Sequence, residues 1–318
     1  MLTCTVLDDY ADLARSFANW DALPGVRVRT VPYHLAGDDL VEAIAYSEIV
    51  VIMRERTPFP AGLLDRLPRL RLLITTGMRN ASVDLVAARA RNVTVCGTSS
   101  HSQPPAELTW ALILGLARRL DREILRADGH WQRTVGTDVH GQTLGVVGLG
   151  KIGSQVARVG LAFGMRVQGW SEHLTAERAA ELGVDRALSK TDLLRTSDVV
   201  TLHLVLSDRT AGTIGAAEFA AMKPSALLIN TSRAGLVDQP ALLDALDRPL
   251  IAGYGVDVFE VEPLPVDHPL RRPHVVPVLA TPHLGYVTTG NYRTYFSEAV
   301  EDILAYLAGT PIRVLTEP

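Results

Sequence analysis

The chain has 318 residues, 47% of them hydrophobic and 21% charged, with a formal net charge of −4. That length suits two compact domains, and the composition excludes a disordered chain. Scattered basic residues exclude a nucleic-acid stripe, two cysteines (Cys4 and Cys96) give neither a disulfide framework nor metal spacing, and no uncharged apolar run is long enough to span a bilayer.

The opening "MLTCTVLDDY" lacks a basic region followed by a long apolar run, so it reads as a strand and not as a signal peptide. A cytoplasmic, reducing setting is the expectation, with Cys4 and Cys96 as small core residues. Strands are predicted at 4–8, 26–31, 47–53, 70–75 and 93–97, with helical patterns at 38–47 and 60–67 between them. Alternation of this kind implies a parallel sheet covered on both faces. Pro104 and Pro105 sit where a helix can begin, and one long linker helix from about 104 to 128 is expected between two domains. A second α/β run follows, with strands at 143–148, 165–170, 199–204, 226–230, 251–259 and 276–283 and helices at 177–183, 190–196 and 239–247. The stretch 290–309 reads as a long amphipathic helix free to return to the first domain.

"GLGKIG" at 148–153 lies between a buried strand and a helix. In that setting Gly148 makes a tight turn, Gly150 lets backbone approach a pyrophosphate, and Gly153 lets the helix pack close to the sheet. The helix N-terminus then offers free N–H groups to phosphates. Three later patches also follow strands. "NTSRAGLVD" carries Arg233, a planar bidentate partner for a carboxylate, although the patch alone suits a surface ion pair equally well. "GVDVFEVEPLP" crowds Asp257, Glu260 and Glu262, and "TPHLGY" places His283 at another strand end. An arginine, a carboxylate and a histidine together meet the needs of hydride transfer to a keto acid: an anion anchor, a proton donor and a partner for the donor.

With these motifs in this order, the chain resembles the D-isomer-specific 2-hydroxyacid dehydrogenases over nearly its whole length. The resemblance implies a Rossmann-type, doubly wound parallel sheet at 100–283. It also implies a discontinuous, flavodoxin-like α/β substrate domain at 1–99 and 284–318. It makes Arg233 the substrate arginine, His283 the general acid/base and Glu262 its paired carboxylate, whose charge favours the protonated histidine. Lys151 and Ile152 match pyrophosphate contacts. Thr231, Ser232 and Asp257 match the nicotinamide end, and His203 is a further cofactor position. Gly77 and Met78, in "TTGMRNASVD", match the loop that grips the substrate carboxylate through backbone N–H groups. A homodimer is implied as well, and the apolar helix carrying Trp110, Leu112, Ile113, Leu114 and Leu116 fits burial between subunits as well as within one.

Substrate and cofactor choice turn on two other stretches. Arg54 and Arg56 share one face if their strand continues, and Arg54 is the candidate for a second anionic group on the substrate; solvated loop arginines are the alternative. Tyr286, Tyr292 and Tyr295 either wall the pocket or pack the return helix. The end at 318 leaves no room for the regulatory domain of some phosphoglycerate dehydrogenases, which favours a general 2-keto acid reductase acting on glyoxylate or hydroxypyruvate. D-3-phosphoglycerate dehydrogenase is the alternative enzyme, and a nucleotide-sensing, corepressor-like dimer is the alternative of another class. At the ribose end, the family's acid is replaced by Ser171, with Glu172 one place late. No arginine occurs from 171 to 177 to hold a 2′-phosphate, and His173 helps one only if protonated. NAD is expected, with NADP as a further option.

Overall fold

The computed structural model describes residues 1–124, 129 and 131–315. It divides into two units, Met1–His101 with Thr288–Pro318, and Ser102–Val287.

The first unit begins β1 (Leu2–Val6), β2 (Val26–Thr30), α1 (Gly37–Ile44), β3 (Ile49–Ile52), α2 (Ala61–Leu64), β4 (Leu72–Thr75), α3 (Leu85–Ala90) and β5 (Thr94–Gly97). The five strands are all parallel, in the order β2-β1-β3-β4-β5. "IVVI" and "LLIT" are continuous apolar runs because β3 and β4 are buried on both faces. Val50, Ile52 and Leu73 pack with Leu40 and Ile44 of α1 and Leu64 of α2 in one cluster.

The second unit runs α4 (Gln103–Ala117), α5 (Leu120–Glu123), β6 (Thr143–Val147), α6 (Gly153–Ala162), β7 (Arg166–Trp170), α7 (Ala176–Glu181), β8 (Asp185–Arg186), α8 (Lys190–Thr196), β9 (Val199–Leu202), α9 (Ala216–Ala221), β10 (Leu227–Asn230), α10 (Gln239–Asp247), β11 (Gly253–Val256) and β12 (Val278–Ala280). Its seven strands are parallel, in the order β12-β11-β10-β9-β6-β7-β8. Helices α4 and α6 contribute to the cluster on one face, and α8, α9 and α10 to the cluster on the other. The chain order reverses between β6 and β9, which opens a ligand crevice at the carboxyl ends of such a sheet. The last helix, α11 (Thr289–Leu307), returns to the first unit and packs on β4. Its Tyr292 and Phe296 meet edge to face, with ring centroids 5.5 Å apart, so Tyr292 and the fully buried Tyr295 are packing residues of this helix.

The expected helix from 104 to 128 is corrected. Arg119 takes a left-handed backbone with φ of 55°, and α4 ends at Ala117. The short α5 follows, and the stretch 125–128 lies outside the described residues. Nor is α4 a bare linker, because it packs on α6, β10 and β11. Trp110, Leu112, Ile113 and Leu116 are buried within this unit, each contributing about 1.5–3 kcal/mol by leaving water. The apolar excess of the helix is therefore accounted for inside one chain and no longer argues for burial between subunits. Among the described residues, no helix is long and apolar enough to cross a membrane.

Candidate active site

Register aligns the carboxyl ends of the second sheet. Val147 pairs with Trp170 and Leu202, Leu202 with Asn230, Asn230 with Val256, and Val256 with Ala280. The next residues along each chain segment are Gly148, Ser171, His203, Thr231, Asp257 and Thr281. One edge of one sheet thus carries the glycine turn and all three of the later patches.

The glycines differ in what holds them. Gly148 has φ of 100°, donates its N–H to Trp170 O at 2.8 Å, and would place a Cβ 2.7 Å from His203 O. A Cβ on Gly153 would fall 1.9 Å from Gly148 O and 3.1 Å from Gly148 C, with Val146 Cγ1 at 3.2 Å. The third glycine therefore serves closure of the turn first and helix packing second. Gly150 is different, since a Cβ there would meet nothing within 4 Å. The protein itself leaves that space open, which fits a pyrophosphate approaching the backbone at the start of α6. Lys151 beside it is exposed, while Ile152 packs on the core beneath.

At the ribose end, Ser171 is half-buried and accepts the Leu174 N–H at 3.1 Å, leaving Glu172 and His173 exposed in the turn. Arg178 is committed to Glu181 Oε2 at 2.9 Å. Just beyond β9, on the other side of β6, His203 donates its backbone N–H to Val147 O, and its Nε2 lies 2.9 Å from Thr201 Oγ1. Desolvation pushes its imidazole pKa down to about 3, so this histidine is neutral at the crevice.

Beyond β10, the buried Asn230 organises the turn: its Oδ1 accepts from Ser232 N at 3.1 Å and its Nδ2 donates to Arg233 O at 2.9 Å. Ser232 Oγ donates to Leu204 O, and Arg233 Nη1 donates to Ser232 O. Thr109 Oγ1 donates to Pro105 O and lies 2.7 Å from Thr231 Oγ1, so α4 braces this turn.

Glu262 Oε2 accepts from His283 Nδ1 at 2.6 Å, and its Oε1 accepts from Phe259 N at 2.9 Å. The Nδ1–carboxylate bond fixes the orientation of the ring, with Nε2 on the side of the imidazole away from Glu262. The two side chains are only 20% and 22% exposed, reachable yet largely out of water. His283 itself has φ of 53° and bonds Thr281 O through its backbone N–H, and Tyr286 packs edge-on to its ring at 5.3 Å.

Asp257, matched in sequence to the nicotinamide end, is fully covered. Its Oδ1 accepts from Thr281 Oγ1 at 2.6 Å and Leu284 N at 2.7 Å, and its Oδ2 from Gly285 N at 2.8 Å. Burial raises its pKa, against those hydrogen bonds and the nearby His283. Its contribution reaches the edge through the 281–285 turn that presents His283.

In the first unit, Gly77 has φ of 106° and a Cβ there would lie 2.8 Å from Arg54 Nη1, so the guanidinium covers this turn. Arg54 N donates to Thr76 Oγ1, and Asn80 Nδ2 donates to Arg54 O, tying the ends of β3 and β4 together. The Gly77 N–H is already given to Thr98 Oγ1 at 3.1 Å. Met78, a residue 46% exposed, is thus the better backbone donor of the two proposed for a carboxylate.

Thr109, Asn230 and the bracing role of Asp257 escaped sequence reasoning. For Asn230 the available signal was a short polar residue at the last position of an apolar strand, "LLIN".

A family model described as "D-isomer specific 2-hydroxyacid dehydrogenase, NAD binding domain" matches residues 110–285. A glyoxylate reductase of Aeropyrum pernix is 38% identical over 78% of this chain and 76% of its own length. A D-3-phosphoglycerate dehydrogenase of Bacillus subtilis is 34% identical over 82% of this chain. The chain spans only 50% of that relative's length. The crystal structure of a phosphoglycerate oxidoreductase from Vibrio cholerae superposes with a TM-score of 0.91 at 36% identity, over 97% of this chain and all of that one.

Proposed function

Because the chain belongs to the D-isomer specific 2-hydroxyacid dehydrogenase family, we propose that it interconverts a small 2-keto acid and the matching D-2-hydroxy acid, with NAD as cofactor. The observation that carries this is the Glu262–His283 pair at 2.6 Å, on the same sheet edge as Arg233 and the open glycine turn. When bound, the nicotinamide supplies or takes the hydride at C2. His283 Nε2 gives the proton to the C2 oxygen in reduction and takes it back in oxidation. Glu262 holds the ring in the tautomer this needs and offsets the imidazolium charge. Arg233 binds the substrate carboxylate and stabilises the negative charge that grows on the C2 oxygen. Gly148, Gly150, Lys151, Ile152 and Gly153 line the pyrophosphate. Ser171 and Glu172 meet the ribose, and His203, Thr231 and Ser232 lie along the rest of the dinucleotide. Met78 and Gly77 orient the carboxylate, with Arg54 ready for a second anionic group.

Glyoxylate and hydroxypyruvate are the favoured substrates, and the phosphoglycerate dehydrogenases among the relatives support the second reading, in which Arg54 meets a phosphate. Glu172 supports NAD over NADP because it repels a 2′-phosphate. The reading includes a cytoplasmic location and a homodimer. A panel of 2-keto acids, including 3-phosphohydroxypyruvate, assayed with NADH and NADPH, tests the proposal. Turnover of at least one acid with NADH is the expected result, and tight nucleotide binding with no turnover across the panel would favour a nucleotide-sensing role instead.

A further inference from the structure

Glu262 sits in a long connection. Between Val256 at the end of β11 and Val278 at the start of β12, the only regular element is a single 3-10 turn, Pro269–Arg271. A segment of this length has no ladder to fix it, so its backbone must be held by side chains. A Glu262 carboxylate displaced by about 1 Å would cost the His283 pair much of its value.

The structure contains a chain of bonds that answers this need. Arg271 Nη2 donates to Leu264 O at 2.8 Å, and Arg271 Nε donates to Pro265 O at 2.9 Å. These are two consecutive carbonyls, two and three residues beyond Glu262. The rigid guanidinium fork spans them, a geometry a single ammonium cannot reproduce. Pro265 O also accepts the His268 N–H at 3.2 Å, which closes the loop on itself. The turn that carries Arg271 is anchored in turn. His274 Nε2 lies 3.0 Å from Pro269 O and its Nδ1 2.8 Å from Asp247 Oδ1, at the end of α10. The His274 side chain is 1% exposed and Asp247 is 46% exposed, so the anchor is buried at the imidazole and reaches solvent at the carboxylate. Arg272 Nη2 takes the second Asp247 oxygen at 2.7 Å. Hydrogen bonding from His274 and the Arg272 charge together hold the Asp247 carboxyl below its ordinary range.

We propose that Arg271 is a positioning residue for the proton-transfer pair: its bidentate clamp on Leu264 O and Pro265 O sets where the Glu262 carboxylate meets His283. Arg271 touches neither substrate nor cofactor in this account and acts only through Glu262. The inference rests on the functional reading above for its kinetic consequence, and on the geometry alone for its effect on the pair.

The test is a double-mutant cycle in the NADH-dependent reduction of the best 2-keto acid of the panel, with Arg271→Ala, Arg271→Lys, Glu262→Gln and Arg271→Ala/Glu262→Gln. Arg271→Ala is expected to lower kcat about tenfold with the Kd for NADH within twofold of wild type, the size of loss that misplacement of a reacting group produces. Arg271→Lys falls between, since its ammonium serves one carbonyl. In the Glu262→Gln background, removal of Arg271 has no further effect on kcat. An unchanged kcat in Arg271→Ala, a lysine variant no better than alanine, or an equal further loss in the Glu262→Gln background would each overturn the proposal. A readout without turnover separates the two claims. In protein labelled with 15N-histidine, the downfield Nδ1–H signal of the Glu262–His283 hydrogen bond, assigned by its absence from His283→Gln, is expected in wild type and broadened away in Arg271→Ala. If wild type reduces none of the acids while that signal still depends on Arg271, the clamp stands and the functional reading falls; a signal indifferent to Arg271 overturns the clamp.

Discussion

The Glu262 carboxylate and the His283 imidazole meet at 2.6 Å, and each is also held from a second side, Glu262 by the Phe259 N–H and His283 through its backbone N–H to Thr281 O. Replacement of Glu262 by Gln keeps the shape and an acceptor for Nδ1–H but removes the charge that balances an imidazolium. The expected outcome is a loss in kcat on the order of 10²-fold, at the lower end of what positioned acid–base catalysis contributes. NADH affinity, measured by fluorescence titration, stays at the wild-type value. A Glu262→Gln enzyme with wild-type kcat would contradict the assigned role.

Two alanine substitutions three residues apart are expected to part company. A Cβ at Gly150 meets nothing within 4 Å, so Gly150→Ala keeps the wild-type Tm while NADH binding weakens by about tenfold or more, the mark of a glycine kept for a ligand. A Cβ at Gly153 falls 1.9 Å from Gly148 O. Gly153→Ala must distort the turn, and a drop in Tm matching at least about 1–3 kcal/mol of overpacking is expected. Equal behaviour of the two variants in thermal melts would refute the distinction.

Stability carries a pH dependence from a buried acid far from the proton-transfer pair in sequence. Asp302 on α11 is fully buried, its Oδ1 accepts from Arg313 Nε at 3.0 Å, and Oδ2 has no hydrogen-bond partner among the described residues. Burial raises its pKa from 3.8 to about 7, against the pull of Arg313 and with further push from Glu298 and Glu301. The folded state therefore binds this proton more tightly than the unfolded chain does. The resulting stability is fully present below pH 3.8 and is lost as pH rises towards 7. Asp302→Asn cannot ionise, so the Tm of this variant minus that of wild type is expected to become more positive from pH 4 to pH 8. A difference constant across that range would refute the assignment.

Cofactor preference is expected to follow Glu172. Wild type is predicted to favour NADH over NADPH in kcat/KM, and Glu172→Ala to shrink that ratio by about tenfold, the scale of one hydrogen bond to a charged group. A strong NADPH preference in wild type would show that Glu172 does not set the choice.

Sequence periodicity was a good guide wherever burial imposed it. The β3 and β4 runs are apolar on both faces, and the sequence boundaries of α8 and α10 coincide with their observed ends because Ser189 and Asp238 cap them with side-chain acceptors. Three short elements were illegible for a physical reason. Helices α3 and α9, "LVAARA" and "AAEFAA", have too few large apolar residues to show a period, and β8 is only two residues at a sheet edge. The overlong helix at 104–128 arose because Arg118 and Arg119 are good helix formers, while the break is a left-handed residue that composition does not announce. In the candidate site, Arg233, Glu262 and His283 stood out as charged groups at strand ends. The hydrogen bonds that fix them, from Asn230, Asp257 and Arg271, depend on chain paths that spacing alone does not encode.

The central claim is tested most directly by His283→Ala. In the reduction of the best 2-keto acid of the panel with NADH, the variant is expected to lose at least about 10³-fold in kcat, because it removes the proton donor. Its Kd for NADH is expected to remain within twofold of wild type. A His283→Ala enzyme that turns over at the wild-type rate would contradict the account.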